Sequence, residues 1–318
     1  MPRHVAHSSD DEEPLEDKTV ALQLHSKRTE RQKKQKAKRD RRRDAIINLT
    51  KLPTEMILEC LKYSQPGDVL NFSHVNRRFR SLVDANANII GDAIIRQRYT
   101  LLAQCLVLPK LLAEIEAPVR PFLVDEKRQL LLGIHHKPYQ HVQSPDQHLV
   151  CTCLSCILAW NNLGVVLDFA HWQDNLDTGE PLPIIARGQT PEWNQKLVQR
   201  NACIMRTALR NSLWHARILE IHLASTVRAI RRQAKNKGNK RTHVDMTEED
   251  ARLGTDAFLS KPGPPSLEFP YHRDEYHMLY WKKSEERWLY GTAIHHERDL
   301  GLVLHLTGRR FLDPSWAK

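Results

Sequence analysis

The sequence predicts a mainly α-helical protein, a small three-helix unit followed by a larger, mostly helical C-terminal domain without repeats. Three observations carry this expectation. Apolar residues recur at helical spacing in several windows of ten residues or more. Helix-start signals, a proline or a Thr/Asn/Asp cap with an acid close behind, stand ahead of those windows. No self-similarity with a period of 20 to 50 residues suggests a propeller or a solenoid.

The chain has 318 residues, 41% of them hydrophobic and 27% charged, which is enough to build a sizeable core. Its net charge of +10 is local. Between Lys27 and Asp44 there are eleven Lys and Arg against Glu30, Asp40 and Asp44, which is +8 within eighteen residues. Six cysteines in a chain of this length make no disulfide framework. The N-terminus has no apolar run of the signal-peptide kind, and no window approaches a membrane span. A soluble, intracellular protein with reduced thiols is expected, in the nucleus, the cytoplasm or both, with no membrane partner.

Three regions are expected. Residues 1–45 read as a disordered charged tail, the alternative being an isolated charged helix, because they offer too little apolar surface to offset ordering entropy. Residues 46–100 read as the small helical unit, and residues 101–318 as the C-terminal domain. Within the small unit, Pro53 stands near a first helical turn. Met56, Ile57, Cys60 and Leu61 share a stripe, Pro66-Gly67 ends this first helix, and Asp68 is placed to cap a second carrying Val69, Leu70 and Phe72. Asn76 is placed to cap a third with Phe79, Leu82 and Val83, while Arg77, Arg78 and Arg80 stay wet. Three helices of roughly eight residues leave apolar surface that needs a partner.

Beyond them, prolines 109, 118, 121, 138 and 145 mark a loop-rich stretch interrupted by a helical candidate, DEKRQLLLGIHH. LGVVLDF fits a short strand or a buried helix end, and DNLDTGEPLP reads as a turn. Thr190-Pro191-Glu192 announces a helix, and Ser212 opens another to about Arg232 with Trp214, Ile218, Ile221, Leu223, Val227 and Ile230 on one face. Thr247 with Asp250 forms a capping box. KPGPP then breaks the chain before an aromatic-rich remainder.

The order LP-x-E, then P-x-D, then V-N-R-x-F-R-x-L resembles an F-box motif. It is matched by Leu52, Pro53, Glu55, Asp68, Leu70, Val75, Asn76, Arg77, Phe79, Arg80 and Leu82. Phe79 stands where that family often has tryptophan. The resemblance implies docking on a Skp-family adaptor and, through it, on a cullin-RING ubiquitin ligase. The implied adaptor contacts are Leu52, Pro53, Ile57, Leu61, Leu70, Val75 and Phe79. It also implies a non-catalytic receptor that brings an unknown protein substrate to ubiquitination and proteasomal degradation. Later stretches, CILAWNNLG, DFAHWQDNLDTGEP and NKGNKRTHVDMTEEDARLGTDAF, resemble the C-terminal parts of fungal F-box proteins.

One candidate metal site stands out: His148, Cys151, Cys153 and Cys156. The last two have the spacing that lets two thiolates meet one zinc at a tight turn, with His148 or His171 available to complete a tetrahedron. The competing reading is three buried, inert cysteines and no cofactor. The basic residues Lys33, Lys34, Lys36, Lys38, Arg39, Arg41, Arg42 and Arg43 fit a nuclear-import signal or a solvated tail equally well. Nucleic acid is not the expected partner, since no aromatic interleaving accompanies this run or the one at 228–241.

Enzymatic motifs of the G-x-S-x-G, P-loop, G-x-G-x-x-G and H-E-x-x-H kinds are absent. His295-His296-Glu297 is suggestive by composition alone, in a chain with seventeen histidines. Tyr276, Tyr280, Trp281 and Trp288 stand among Arg273, Lys282, Lys283 and Arg287. That composition fits either a target-binding surface for acidic or phosphorylated groups or a core helix with a wet basic face.

Overall fold

The computed structural model describes residues 27–133, 141–186, 188–235, 246–260, 279–282, 284, 287–290 and 296–306. The chain divides into two compact units, Met1–Pro53 and Thr54–Lys318.

In the first unit the basic run is helical, not disordered: α1 spans Lys27–Lys51. Between Arg28 and Arg41 nearly every side chain is exposed. Lys, Arg, Gln, Ala and Glu dominate this segment, and all of them lose little side-chain freedom in a helix. An α-helix therefore forms here without an apolar face to bury.

The second unit opens with α2 (Thr54–Lys62), α3 (Pro66–Ser73) and α4 (Arg77–Arg98). Pro66 does not close α2; it occupies the first position of α3, where a missing N–H costs nothing, and Gln65 holds the N-cap position expected for Asp68. Asn76 does cap α4, its Oδ1 accepting the Phe79 N–H at 2.9 Å. This third helix runs 22 residues, well past Val83, because Ala87, Ile90 and Ile94 continue the buried stripe set by Phe79 and Val83. Phe79 stacks on Phe72 with ring centroids 4.1 Å apart, so phenylalanine fills the site well.

Short helices follow: α5 (Leu102–Cys105), α6 (Arg120–Leu123) and α7 (Glu126–Gly133). Next comes α8 (Leu154–His171), so LGVVLDF lies in a helix. The short α9 (Gln173–Thr178) ends on Gly179 at φ 78°, where a glycine adopts the left-handed cap without strain. Then come α10 (Glu192–Ala208), α11 (Ser212–Lys235) and α12 (Glu248–Leu253). The Thr247–Asp250 capping box is formed, with Thr247 N–H to Asp250 Oδ2 at 2.9 Å and Asp250 N–H to Thr247 Oγ1 at 3.1 Å.

An antiparallel pair, β1 (Leu279–Lys282) and β2 (Arg287–Tyr290), stands where a helix was the alternative expectation. The aromatic residues of LYWK and RWLY, Tyr280, Trp281, Trp288 and Tyr290, have high strand propensity and suit a pleated ribbon. Tyr271, Arg273, Tyr276 and Lys283 lie outside the described residues, as do the residues of KPGPP. The last described helix is α13 (His296–Leu306). No described helix is long and apolar enough to cross a membrane.

The main core is continuous through the second unit. Ile57, Leu61, Phe79 and Ile90 belong to the same buried cluster as Trp160, Met205 and Ile218. Tyr99, Leu102 and Cys105 join it as well, so the core does not divide near residue 100, where a domain boundary was expected. A smaller second core gathers Ile115, Val119, Leu123, Leu300, Val303 and Leu304 around three cysteines.

Candidate docking face and a buried cysteine–histidine cluster

Helix α2 sorts its stripe into two faces. Ile57 and Leu61 are buried at 3% and 6% exposure, against the core. Met56 and Tyr63 are 54% and 64% exposed, and Cys60 is exposed between them. Positions 56, 60 and 63 fall on one side of a 3.6-residue helix, so this side is an apolar stripe facing water. Leu52 and Pro53 precede it and are exposed too. Val75 is exposed at the turn before α4, and Leu70 is half-buried.

Three of the expected adaptor contacts are therefore corrected. Ile57, Leu61 and Phe79 are buried at 3%, 6% and 1% exposure within the main core, where a partner docking on the folded unit does not reach them. Met56, Cys60 and Tyr63 offer an accessible apolar face on α2 instead.

The three-helix unit is locked to α11 from behind. Glu220 Oε2 accepts the Gly67 N–H at 2.9 Å, satisfying one of the donors left free in the first turn of α3. Arg217 Nη1 holds the same oxygen at 2.6 Å. Asn88 Oδ1 accepts the Ser212 N–H at 2.9 Å where α11 begins. Arg98 donates to the carbonyls of Tyr63 at 2.7 Å and Leu253 at 2.9 Å, tying the end of α2 to the end of α12.

A family model for the F-box domain matches residues 49–89. The chain carries an F-box domain. Such a domain points to an adaptor-type role, docking on a Skp-family protein of a cullin-RING ligase. No curated protein and no solved structure matches the chain.

A second site lies apart from the F-box. An antiparallel bridge between Leu111 and Val150, with Cys151 N–H donating to Lys110 O at 2.9 Å, sets the strand-like approach to α8. Cys151 and Cys153 lie on this approach, Cys153 is the N-cap residue of α8, and Cys156 lies in its first turn. His296 opens α13, and Asp299 in the same turn accepts the Ser155 N–H at 2.8 Å and the Ser155 hydroxyl. This anchor draws the two helix starts together.

The result is a cluster of Cys151, Cys153, Cys156 and His296, whose ligand atoms all lie within 4.8 Å of one another and which are all buried. His296 Nδ1 is 3.3 Å from both Cys153 Sγ and Cys156 Sγ. None of the six cysteines is in a disulfide. The cluster could hold a metal ion. Hydrogen bonds from Cys153 and Cys156 hold the Cys151 thiol well below its ordinary value, while hydrogen bonding to Cys151, together with burial, pushes Cys153 and Cys156 up.

His148 is not part of the cluster; it is exposed, and its ring faces the Gln147 side chain at 3.3 Å. His171 is exposed as well and packs edge-on against Trp172. The place expected for either is taken by His296, 140 residues from Cys156.

Between α4, α9, α11 and α12 lies a cavity of about 480 Å³, lined in part by Tyr99, Gln173, Arg217, Arg228 and Arg231. Each of its three arginines is already matched with a carboxylate: Arg217 with Glu220 at 2.6 Å, Arg228 with Asp177 at 3.5 Å and Arg231 with Glu248 at 2.6 Å.

Proposed function

We propose that this chain is the substrate-recognition subunit of an SCF-type ubiquitin ligase. The F-box docks a Skp-family adaptor through the outward face of α2, and the helical body recruits a protein target. The observation that carries this reading is the solvent-facing stripe of Met56, Cys60 and Tyr63 within the matched F-box segment. Apolar side chains lined up on a helix face of a well-packed unit mark an interaction surface. Such a receptor works by proximity: ubiquitin transfer is carried out by other subunits, and the receptor supplies no catalytic residue.

The β1–β2 hairpin is part of the proposed target surface. Its register pairs Lys282 with Arg287 at the turn end of the ribbon. The ribbon thereby carries two basic residues in register, and a basic strand end is complementary to an acidic or phosphorylated target. The exposed basic helix α1 is proposed to direct the protein to the nucleus. Deleting residues 1–45 from a tagged chain is expected to shift it to the cytoplasm, and an unchanged distribution removes this role.

Affinity purification from cells tests the main reading. Adaptor and cullin are expected to co-purify, with ubiquitinated target enriched in the same complex. Capture of the adaptor without the cullin favours an F-box scaffold that does not direct degradation.

A further inference from the structure

We propose that Cys151, Cys153, Cys156 and His296 form a closed, four-coordinate structural zinc site that fastens the start of α13 to the start of α8. The donor set is the first ground. Three sulfurs and one imidazole nitrogen, all within 4.8 Å of one another, have room for a single ion at their centre. A tetrahedron with zinc–sulfur arms of about 2.3 Å has edges of about 3.8 Å. The 3.3 Å separations of His296 Nδ1 from Cys153 Sγ and Cys156 Sγ are already close to that size. Soft thiolates with one imidazole in a tetrahedral array favour zinc over harder cations.

The surroundings are the second ground. Backbone N–H groups donate to the sulfurs: Lys110 N–H to Cys156 Sγ at 3.4 Å and Cys153 N–H to Cys151 Sγ at 3.5 Å. Such donors stabilise thiolates and orient ligands. Three thiolates on a divalent ion leave one net negative charge, and a buried anion needs a partner. Arg128 supplies it. Its guanidinium donates to Thr152 Oγ1 at 2.6 Å and to the Thr152 carbonyl, and Thr152 lies between the first two cysteines. On the far side of the imidazole, Glu297 Oε1 stands 4.0 Å from His296 Nε2, too far for a hydrogen bond but close enough to favour the ring electrostatically. Packing of inert cysteines explains their burial. It does not explain a histidine aimed at two of them, two N–H donors on the sulfurs and a cation alongside.

With four protein donors and buried ligands, the ion has no open position, so the site is structural and not catalytic. Its energetic role follows from the small second core, which is too sparse in apolar side chains to hold α13 by burial alone. Zinc binding displaces the thiol protons to solvent and ties together segments 140 residues apart in sequence.

Metal analysis of the full-length protein, purified reduced and then supplied with zinc, tests this. Close to one tightly held zinc per chain is expected, and replacing it with cobalt should give the sulfur-to-cobalt charge-transfer absorption of a tetrahedral thiolate site. Cys153→Ser and His296→Ala should each lose the metal, whereas His148→Ala should retain it. Should the cysteine variant fail to fold, the wild-type cobalt spectrum still decides. Absence of zinc and of the cobalt signature in folded wild-type protein overturns the proposal. So does full zinc retention in His296→Ala, which would put the metal elsewhere.

Discussion

The backbone N–H of Gly67 donates to Glu220 Oε2 at 2.9 Å, joining the F-box to a helix 153 residues further along the chain. An acidic side chain at a helix N-terminus satisfies a free donor and complements the helix dipole. Glu220 is largely buried and also pairs with Arg217 at 2.6 Å. The three-helix unit is therefore fastened to α11 at the start of α3.

Glu220→Ala should loosen this seat. Losing a hydrogen bond to a charged acceptor and leaving Arg217 without its partner is expected to cost about 2 kcal/mol of global stability. Denaturant unfolding monitored by circular dichroism measures it; a change below about 0.5 kcal/mol, the range of ordinary surface substitutions, would mean that the contact does not hold the two parts together.

Gly91→Ala should be more damaging. A Cβ there would stand 2.2 Å from both the Leu213 nitrogen and the Ser212 carbonyl carbon, and backbone atoms cannot swing aside as a flexible side chain can. Helices α4 and α11 must separate to admit the methyl group, at an expected cost of about 3 kcal/mol. A melting temperature within a degree of the parent would show that the helices cross less closely than described.

Acid should destabilise the protein through its buried histidines. Burial pushes the His222 imidazole from 6.5 down to about 4, and burial also lowers His215, whose Nε2 donates to Leu106 O at 2.9 Å. Both are held neutral in the fold, so the unfolded chain takes up protons first as the pH drops. Their contribution is fully present above about 6.5 and is lost as the pH falls towards 4. His222→Gln should flatten this decline in denaturation midpoints between pH 7 and pH 5. An equally steep decline in the variant would remove His222 as a cause.

Target recognition by the hairpin is tested by reversing Lys282, Lys283 and Arg287 to glutamate. Loss of target capture with unchanged melting temperature and adaptor binding supports the proposed surface. Undiminished capture places recognition elsewhere on the helical body.

Much of this architecture was legible in local chemistry. Asn76 and the Thr247–Asp250 pair could be read as caps because capping depends on residues two or three apart. The F-box was legible because its pattern is carried by many spaced positions within one segment. What local spacing could not supply was which of two adjacent apolar residues faces inward. Met56 and Ile57 are equivalent as letters, and only the packing of α4 and α11 behind α2 separates them. The histidine of the cysteine cluster was hidden for the same reason. His148 is near in sequence and far in function, while His296 arrives through the docking of α13 on α8, guided by Ser155 and Asp299. The His295-His296-Glu297 run was the only signal available. The length of α4 exceeds the short helix expected after Asn76 because its buried side continues past Val83 through Ala87, Ile90 and Ile94. The hairpin was not legible because strands of four residues, LYWK and RWLY, are too short to show a period.

The outward face of α2, and not its inward face, is the proposed contact for a Skp-family adaptor. Titration calorimetry of the full-length protein with a purified adaptor tests it most directly, comparing wild type, Met56→Asp with Tyr63→Asp, Leu52→Ala with Pro53→Ala, and Phe79→Ala. The expected result is a one-to-one complex for wild type. Both surface double variants should lose at least about 2 kcal/mol, roughly thirtyfold in affinity, while melting like the parent. Phe79→Ala should lower global stability by about 3 to 5 kcal/mol, yet bind normally wherever it stays folded. No binding by folded wild-type protein, or unchanged affinity in both surface variants, would contradict the account.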